Sequence, residues 1–317
     1  MVSHSYTGIF RAVPRNMSHA SPVYENETLM VTRRTGQRQF LLKPSKTITQ
    51  VILYVFAVQA QEMGISLHAL VALSNHIHDV LTDPDGRVVD FYRDVHSNIT
   101  KALNVHLDRK ESIWSSSKTN RVALVTRNAI IDKIAYTLAN PVEALLVRHG
   151  YQWPGIRMSW PMKPLTIKRP PFYFRGPLKG GKWPDEVTLI LERPPGFEDL
   201  SEAELEERIA LRTKELEDEA RAKADENGMQ FLGRKNVLRT SRYACAKRKE
   251  EPFRIIPVVA ARDAEARIQR IEENLAWRER YVKVRDRFVG GERDVVFPYG
   301  TYMLPQHFGA NVEAGST

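Results

Sequence analysis

The chain has 317 residues, of which 42% are apolar, and it carries a formal net charge of +9. This length fits about two domains. A single cysteine, Cys245, excludes intrachain disulfides and cysteine-rich zinc sites and favours a reducing compartment. The longest mostly apolar run, residues 51–60, is too short for a membrane helix, and the N-terminus lacks a signal pattern. We therefore expect a cytoplasmic protein without a membrane partner, and its positive charge favours nucleic acid.

The first half of the chain predicts alternating strands and helices. Residues 1–27 are polar and form an N-terminal arm to which we assign no function. After it we predict a strand at 28–32, a helix from a Ser45 cap to a Gly64 stop, strands at 65–73 and from His76 to the turn at 83–86, a helix at 88–106 and a strand at 121–126. The order strand, helix, strand, strand, helix, strand predicts an α+β, ferredoxin-like domain.

Two histidines, His76 and His78, lie two residues apart in the third predicted strand. Because residues i and i+2 of a strand point to the same face, both imidazoles can bind one cation. A His-x-His pair by itself is more often a pair of surface or core-edge imidazoles. A second group of residues downstream favours the metal site.

That second group belongs to a third predicted helix, which begins after Thr126. Lys133, Tyr136 and Asn140 follow one stripe of this helix and can face a single site. Pro141 has no amide hydrogen and disfavours helical geometry in the residue before it, so we predict that the helix breaks at Asn140 and restarts at Pro141. Asn140 is then either an N-cap or a site residue.

The segment Ser74-Asn75-His76-Ile77-His78, followed about 60 residues later by Tyr136-x-x-x-Asn140-Pro141-Val142, resembles the single-tyrosine HUH transposases, particularly the REP-associated type. Residues 83–87, 113–114 and 153–155 are also similar to that family, so the resemblance covers about residues 28–157. It implies a HUH domain followed by a helix with the catalytic tyrosine. It also implies cleavage of single-stranded or hairpin DNA through a 5′-phosphotyrosine intermediate, and then strand transfer.

The resemblance further implies roles for individual residues. His76, His78 and Asn140 would bind a divalent cation, and imidazole with amide oxygen suits Mg²⁺ or Mn²⁺. Lys133 either contacts the scissile phosphate or is merely solvated. Asp79 departs from the aliphatic residue usual after the second histidine, and strand alternation places it on the face opposite the histidines. A DNA-binding protein without catalysis is the alternative function.

Residues 158–200 predict a basic, proline-rich linker. Within it, residues 163–182 contain six Lys or Arg and no acidic residue, interleaved with aromatic residues. This segment is either an arm that contacts phosphates and stacks on bases or a linker whose aromatic residues pack onto the first domain. The residues predicted to contact DNA are Arg33, Arg34, Lys133, Lys168, Arg169 and Arg175.

Residues 201–317 predict a mostly helical C-terminal extension that helps to hold DNA. Residues 201–226 contain ten acidic and five basic residues in a helix opened by a Ser201-x-x-Glu204 capping box, which is either solvated or in contact with a partner. Residues 234–254 are basic, and a further helix is predicted at 263–288. The sequence leaves monomer and homodimer both open.

Overall fold

The computed structural model describes residues 20–246 and 257–315. Residues 1–19 of the predicted arm and residues 247–254 of the predicted basic segment lie outside the described residues. The described chain forms two compact units, one within residues 24–268 and one of residues 20–23 with 269–315. The predicted division into 28–157, 158–200 and 201–317 stays a prediction.

The larger unit contains most of the secondary structure. Its strands are β1 (Glu27–Arg34), β2 (Ser66–Ala72), β3 (His76–Asp83), β4 (Asn120–Leu124), β5 (Arg157–Ser159), β6 (Leu165–Lys168), β7 (Glu186–Leu189) and β8 (Val259–Ala260). Its α-helices are α1 (Lys46–Met63), α2 (Val88–Leu107), α3 (Arg127–Glu143), α4 (Glu202–Glu226) and α5 (Arg234–Arg239). Helix α6 (Ala264–Val289) begins in this unit and continues into the smaller one.

Six strands form one sheet in the order β5-β2-β3-β1-β4-β8. The pairings are antiparallel except for the parallel pair of β4 and β8. The first six strands and α-helices of the described chain are β1, α1, β2, β3, α2 and β4. The predicted α+β class is confirmed.

Local sequence explains where α1 begins and ends. The Ser45 hydroxyl accepts a hydrogen bond from the Ile48 amide at 3.2 Å, which satisfies a free amide of the first turn. Gly64 ends the helix with φ +68°, a left-handed conformation that suits glycine. The interior of α1 is almost entirely buried, and Phe56 packs against Phe91 of α2 with ring centroids 5.9 Å apart. Helices α1 and α2 therefore belong to one layer.

Helix α3 covers the other face of the sheet. His78 of β3 contacts Tyr136 of α3, whereas its neighbour Asp79 accepts a hydrogen bond from Tyr92 of α2. Successive side chains of a strand point to opposite faces. The sheet thus separates the layer of α1 and α2 from α3.

The segment after β5 packs onto this domain. Strands β6 and β7 form an antiparallel hairpin against α1, where the Tyr54 hydroxyl donates to the Pro184 carbonyl at 2.6 Å. The Phe174 and Trp183 rings lie 5.3 and 6.1 Å from the Tyr54 ring. Of the two alternatives for residues 163–182, these contacts match the packed linker.

Helix α4 begins at the predicted capping box, in which the Ser201 hydroxyl accepts from the Glu204 amide and the Glu204 carboxylate accepts from the Ser201 amide. The helix packs along α3 and buries Leu205 and Ile209. Although its sequence is acidic, α4 is therefore a packed element of the larger unit.

The smaller unit has its own apolar cluster, formed by Phe288, Val295, Phe297 and Ala310. Its further elements are β9 (Val296–Phe297), β10 (Asn311–Val312) and α7 (Met303–Phe308), and β9 pairs with β10 in parallel. The Trp277 indole donates to the Tyr299 carbonyl at 2.7 Å. Across the described part of the chain, every helix is too short or too polar to cross a bilayer.

Candidate functional site

The structure brings together the two histidines, the predicted amide ligand and the predicted nucleophile. His76 and His78 lie at the start of β3 with ring centroids 4.6 Å apart, and the His78 ring is 5.8 Å from the Tyr136 ring. Asn140, one turn after Tyr136, places its Oδ1 3.2 Å from His76 Nε2. One strand and one helix therefore build the whole constellation.

The contacts of His76 are unusual for a neutral imidazole. Nδ1 lies 2.7 Å from Asn75 Oδ1, and Nε2 faces the Asn140 oxygen. Burial lowers the pKa of His76 to about 4, so the ring is neutral at pH 7 and has only one N–H. Both ring nitrogens nevertheless face oxygen acceptors.

A cation between His76 Nε2 and Asn140 Oδ1 would resolve this mismatch. Nδ1–H would then donate to Asn75, as metal-bound histidines commonly donate their other ring hydrogen. The alternative is an Asn140 amide turned by 180°, whose NH₂ group would donate to Nε2. The two arrangements differ in whether the Asn140 oxygen faces the histidine.

His78 has a similar environment. Its Nδ1 lies 2.8 Å from the Thr32 hydroxyl of β1, which leaves Nε2 for another ligand. Burial, followed by the charges of His76 and Arg34, lowers the pKa of His78 well below its ordinary value. Metal binding requires neutral imidazoles, so both rings have the protonation state of a ligand.

The donor set fits a hard or borderline cation. Two imidazole nitrogens and one amide oxygen would suit Mn²⁺ and, less readily, Mg²⁺. The described residues contain no group of three or more His, Cys, Asp or Glu that could hold a metal ion. A cation here would therefore depend on the Asn140 oxygen.

The predicted helix break at Asn140 is wrong. Helix α3 continues through Pro141 to Glu143. Proline removes one hydrogen bond of the helix there, and the chain beyond it closes with Leu146 N–H donating to the Pro141 carbonyl at 3.0 Å. Asn140 is consequently no N-cap, and its side chain is available to the site.

Long-range contacts hold α3 in place, and sequence reasoning did not identify them. Asp132 accepts hydrogen bonds from Arg212 Nε of α4 at 3.0 Å and from Arg262 Nε at 2.6 Å. Arg157 of β5 donates to the Leu138 carbonyl at 2.8 Å. These residues lie far apart in the chain and follow no local pattern, so only the tertiary structure identifies them.

Asp79 does not join the cation site. The Tyr92 hydroxyl donates to its carboxylate from the layer of α1 and α2. Burial raises the pKa of Asp79 to about 7. The unusual residue after the second histidine is therefore compensated by a tyrosine on the opposite face of the sheet.

Three of the residues predicted to contact DNA lie in β1 or beside Tyr136. Arg34 pairs with His76 across β1 and β3, and Lys133 Nζ lies 5.3 Å from the centroid of the Tyr136 ring. The Arg33 guanidinium donates to the Ser115 carbonyl at 3.0 Å and to the Ser117 carbonyl. Arg33 therefore already binds the chain's own backbone.

The other three predicted contacts lie in the segment that packs on α1, away from Tyr136. Lys168 is largely exposed and 3.9 Å from Glu186, and Arg175 is exposed. Arg169 donates to the Phe174 carbonyl at 2.9 Å and pairs with Asp185. Of these three residues, Arg169 is engaged within the fold.

No protein-family model and no curated protein matches this chain. Among solved structures, a REP-associated tyrosine transposase bound to a REP hairpin is 19% identical, with 44% of this chain and 80% of that chain covered at a TM-score of 0.37. A candidate transposase from Deinococcus radiodurans R1 is 15% identical, with 33% and 85% covered at a TM-score of 0.27. Both similarities extend over less than half of this chain.

Proposed function

We propose that this protein cleaves and rejoins single-stranded DNA through a covalent link to Tyr136. The observation that supports the proposal is the cluster of His76, His78, Asn140 and Tyr136, in which a tyrosine lies against three side chains that could bind a cation. The proposed frame is a ferredoxin-like sheet with β3 at its centre and α3 across it. In this frame the ligands and the nucleophile come from rigid elements, which favours a fixed geometry.

The proposed reaction has two displacements. In the first, the Tyr136 oxygen attacks a backbone phosphorus, the bond from phosphorus to the 3′ oxygen breaks, and the leaving oxygen gains a proton as the phenol loses one. The product is a 5′-phosphotyrosine and a free 3′ hydroxyl. In the second, a 3′ hydroxyl attacks the same phosphorus and loses its proton, and the tyrosine oxygen leaves and regains one. The intermediate preserves the phosphodiester energy, so no cofactor is consumed.

The residues around Tyr136 would stabilise the charge of the attacked phosphate and attract that phosphate to the site. Bound to His76, His78 and Asn140, Mg²⁺ or Mn²⁺ would supply Lewis-acid stabilisation of the phosphate charge. Lys133 adds positive charge beside the tyrosine ring. Since the neutral imidazoles carry no charge of their own, this lysine is well placed to attract a phosphate.

The proposed partner is single-stranded or hairpin DNA. The net charge of +9 favours a polyanion, and Arg34 and Lys133 place two cations near the proposed nucleophile. A protein that only binds DNA would need no tyrosine in this cluster, so a covalent adduct between protein and DNA separates the two functions.

The test is a covalent adduct. Labelled single-stranded DNA is incubated with the full-length protein and Mn²⁺, and denaturing electrophoresis detects label that stays on the protein. Tyr136→Phe should abolish the adduct and leave DNA affinity close to unchanged, because only one hydroxyl is lost. Tyr151→Phe is the matched control, since Tyr151 is 76% exposed.

Three outcomes would contradict the proposal. An adduct that persists in Tyr136→Phe assigns the nucleophile to another residue. Cleavage without an adduct indicates a nuclease that uses water. DNA binding by the wild-type protein with neither cleavage nor adduct indicates a binding protein.

A further inference from the structure

The connection between β6 and β7 contains a loop, residues 175–182, that is closed by two backbone hydrogen bonds. The Gly181 amide donates to the Gly176 carbonyl at 3.0 Å, and the Trp183 amide donates to the Arg175 carbonyl at 3.2 Å. A Cβ on Gly181 would overlap the Arg175 carbonyl oxygen, so this closure requires glycine. Backbone hydrogen bonds of the loop itself therefore hold its two ends together.

The base of the loop rests on the core of the domain. The Phe174 and Trp183 rings pack together with centroids 4.7 Å apart and both contact Tyr54 of α1. Phe172 stacks on His106 at the end of α2 at 5.6 Å. Because the aromatic residues are used for packing, they are poor candidates for stacking on bases, and a contact with DNA would come from the tip.

The tip presents an apolar side chain among cations. Leu178 is 98% exposed, so its side chain contributes nothing to the core. Arg175, Lys179 and Lys182 are exposed around it. Within residues 20–246 and 257–315, Arg175 and Lys179 have no ion-pair partner, and Lys182 has a weak one at 3.7 Å from Glu62. This combination matches a ligand with an anionic rim and an apolar interior.

A DNA groove has this chemistry. Proteins that bend DNA insert leucine and similar residues between base steps from the minor groove, while neighbouring cations bind the phosphates. The backbone hydrogen bonds that close the loop reduce the conformational entropy that it would lose on such insertion. The loop packs on α1, whereas Tyr136 lies on α3 across the sheet, so any DNA bound here contacts a surface separate from the candidate site.

We propose that the 175–182 loop is a second DNA contact, in which Leu178 inserts into a base step of a duplex stem and Arg175 and Lys179 bind the flanking phosphates. The assignment of DNA as the ligand rests on the proposed function. The geometry of the loop and its separation from Tyr136 are independent of the proposed function.

The experiment measures binding of the full-length protein to a DNA hairpin with 2-aminopurine in its stem. Wild-type protein should increase the 2-aminopurine fluorescence by unstacking the base, and Leu178→Ser should not. Loss of one leucine that the DNA stem would bury should weaken affinity about 10-fold without changing the salt dependence. Leu211→Ser on α4, where the leucine is 58% exposed, is the matched control and should bind as wild type.

The cations are tested with the double variant Arg175→Gln, Lys179→Gln. Each neutralised duplex phosphate contributes about −0.9 to the slope of log affinity against log salt, so the slope should flatten by about 1.8. Unchanged affinity in Leu178→Ser would overturn the proposal. So would a fluorescence increase that persists in that variant, because the loop would then contact phosphate only.

Two further measurements, vesicle binding and adduct formation, test whether the loop binds lipid and whether the loop contact is independent of catalysis. Binding to vesicles with anionic phospholipid that depends on Leu178, without a matching effect on DNA, would assign the loop to a lipid surface and overturn the proposal. Leu178→Ser should form the Tyr136 adduct with a short single strand at the wild-type rate. Failure of the wild-type adduct, with stem insertion intact, would remove the proposed catalysis and leave the loop contact standing.

Discussion

His68 of β2 allows a quantitative prediction about stability at low pH. Its Nδ1 lies 2.9 Å from the Glu192 carbonyl oxygen and its Nε2 lies 2.8 Å from the Thr82 hydroxyl. The carbonyl can only accept, so Nδ1 carries a hydrogen and donates it to Glu192. Burial lowers the pKa of His68 from 6.5 to about 4.

The sign of the effect follows from proton binding. Below pH 6.5 the unfolded chain binds a proton at His68, whereas the folded chain does so only near pH 4, so acid favours unfolding. One pKa unit corresponds to about 1.36 kcal/mol, and between pH 7 and pH 5 this group should remove about 2 kcal/mol from the free energy of unfolding. The loss levels off below pH 4.

The assay is urea denaturation, followed by circular dichroism, of wild type and His68→Gln at pH 7 and pH 5. The variant removes the titrating group, and its own destabilisation is present at both pH values. Between these two pH values the variant should therefore lose about 2 kcal/mol less stability than wild type. Buried His76 and His96, whose pKa values burial lowers to about 4 and 3, are present in both proteins and cancel. Equal losses in the two proteins would refute the reasoning.

Three further predictions concern the site and its support. His76→Ala, His78→Ala and a chelator should each abolish the adduct, because each removes part of the cation site; a yield insensitive to chelator would rule out a metal requirement. Truncation after Arg157 removes α4, which packs along α3, and the β6–β7 hairpin, which packs on α1. Gel filtration should therefore show an aggregated or unfolded chain. A soluble monomer with a native circular dichroism spectrum would contradict this prediction. Asp132→Asn should destabilise α3 by about 1 kcal/mol, as measured by hydrogen exchange. Asp199→Asn, which removes one partner of an exposed ion pair, should change the stability of α3 little. Equal effects of the two substitutions would show that Asp132 does not hold α3 in place.

Local features of the sequence determined the secondary structure and the composition of the candidate site. Spacing of apolar residues located α1 and α2, and the Ser45 and Ser201 caps marked where helices begin. The two-residue spacing of the histidines and the helical stripe of Tyr136 and Asn140 also follow from local geometry, because strand and helix periodicity decide which side chains share a face. The structure places these side chains together.

Long-range packing decided what the sequence left open or misjudged. Pro141 has a strong local preference to break the helix, but α3 continues through it to Glu143 and packs along α4. The aromatic residues of 163–182 fit both stacking on DNA and packing on a core until their contacts with Tyr54 are known. Asp132 gains its arginine partners from segments 80 and 130 residues away. Such contacts depend on the closure of the whole chain, and no short pattern of residues encodes them.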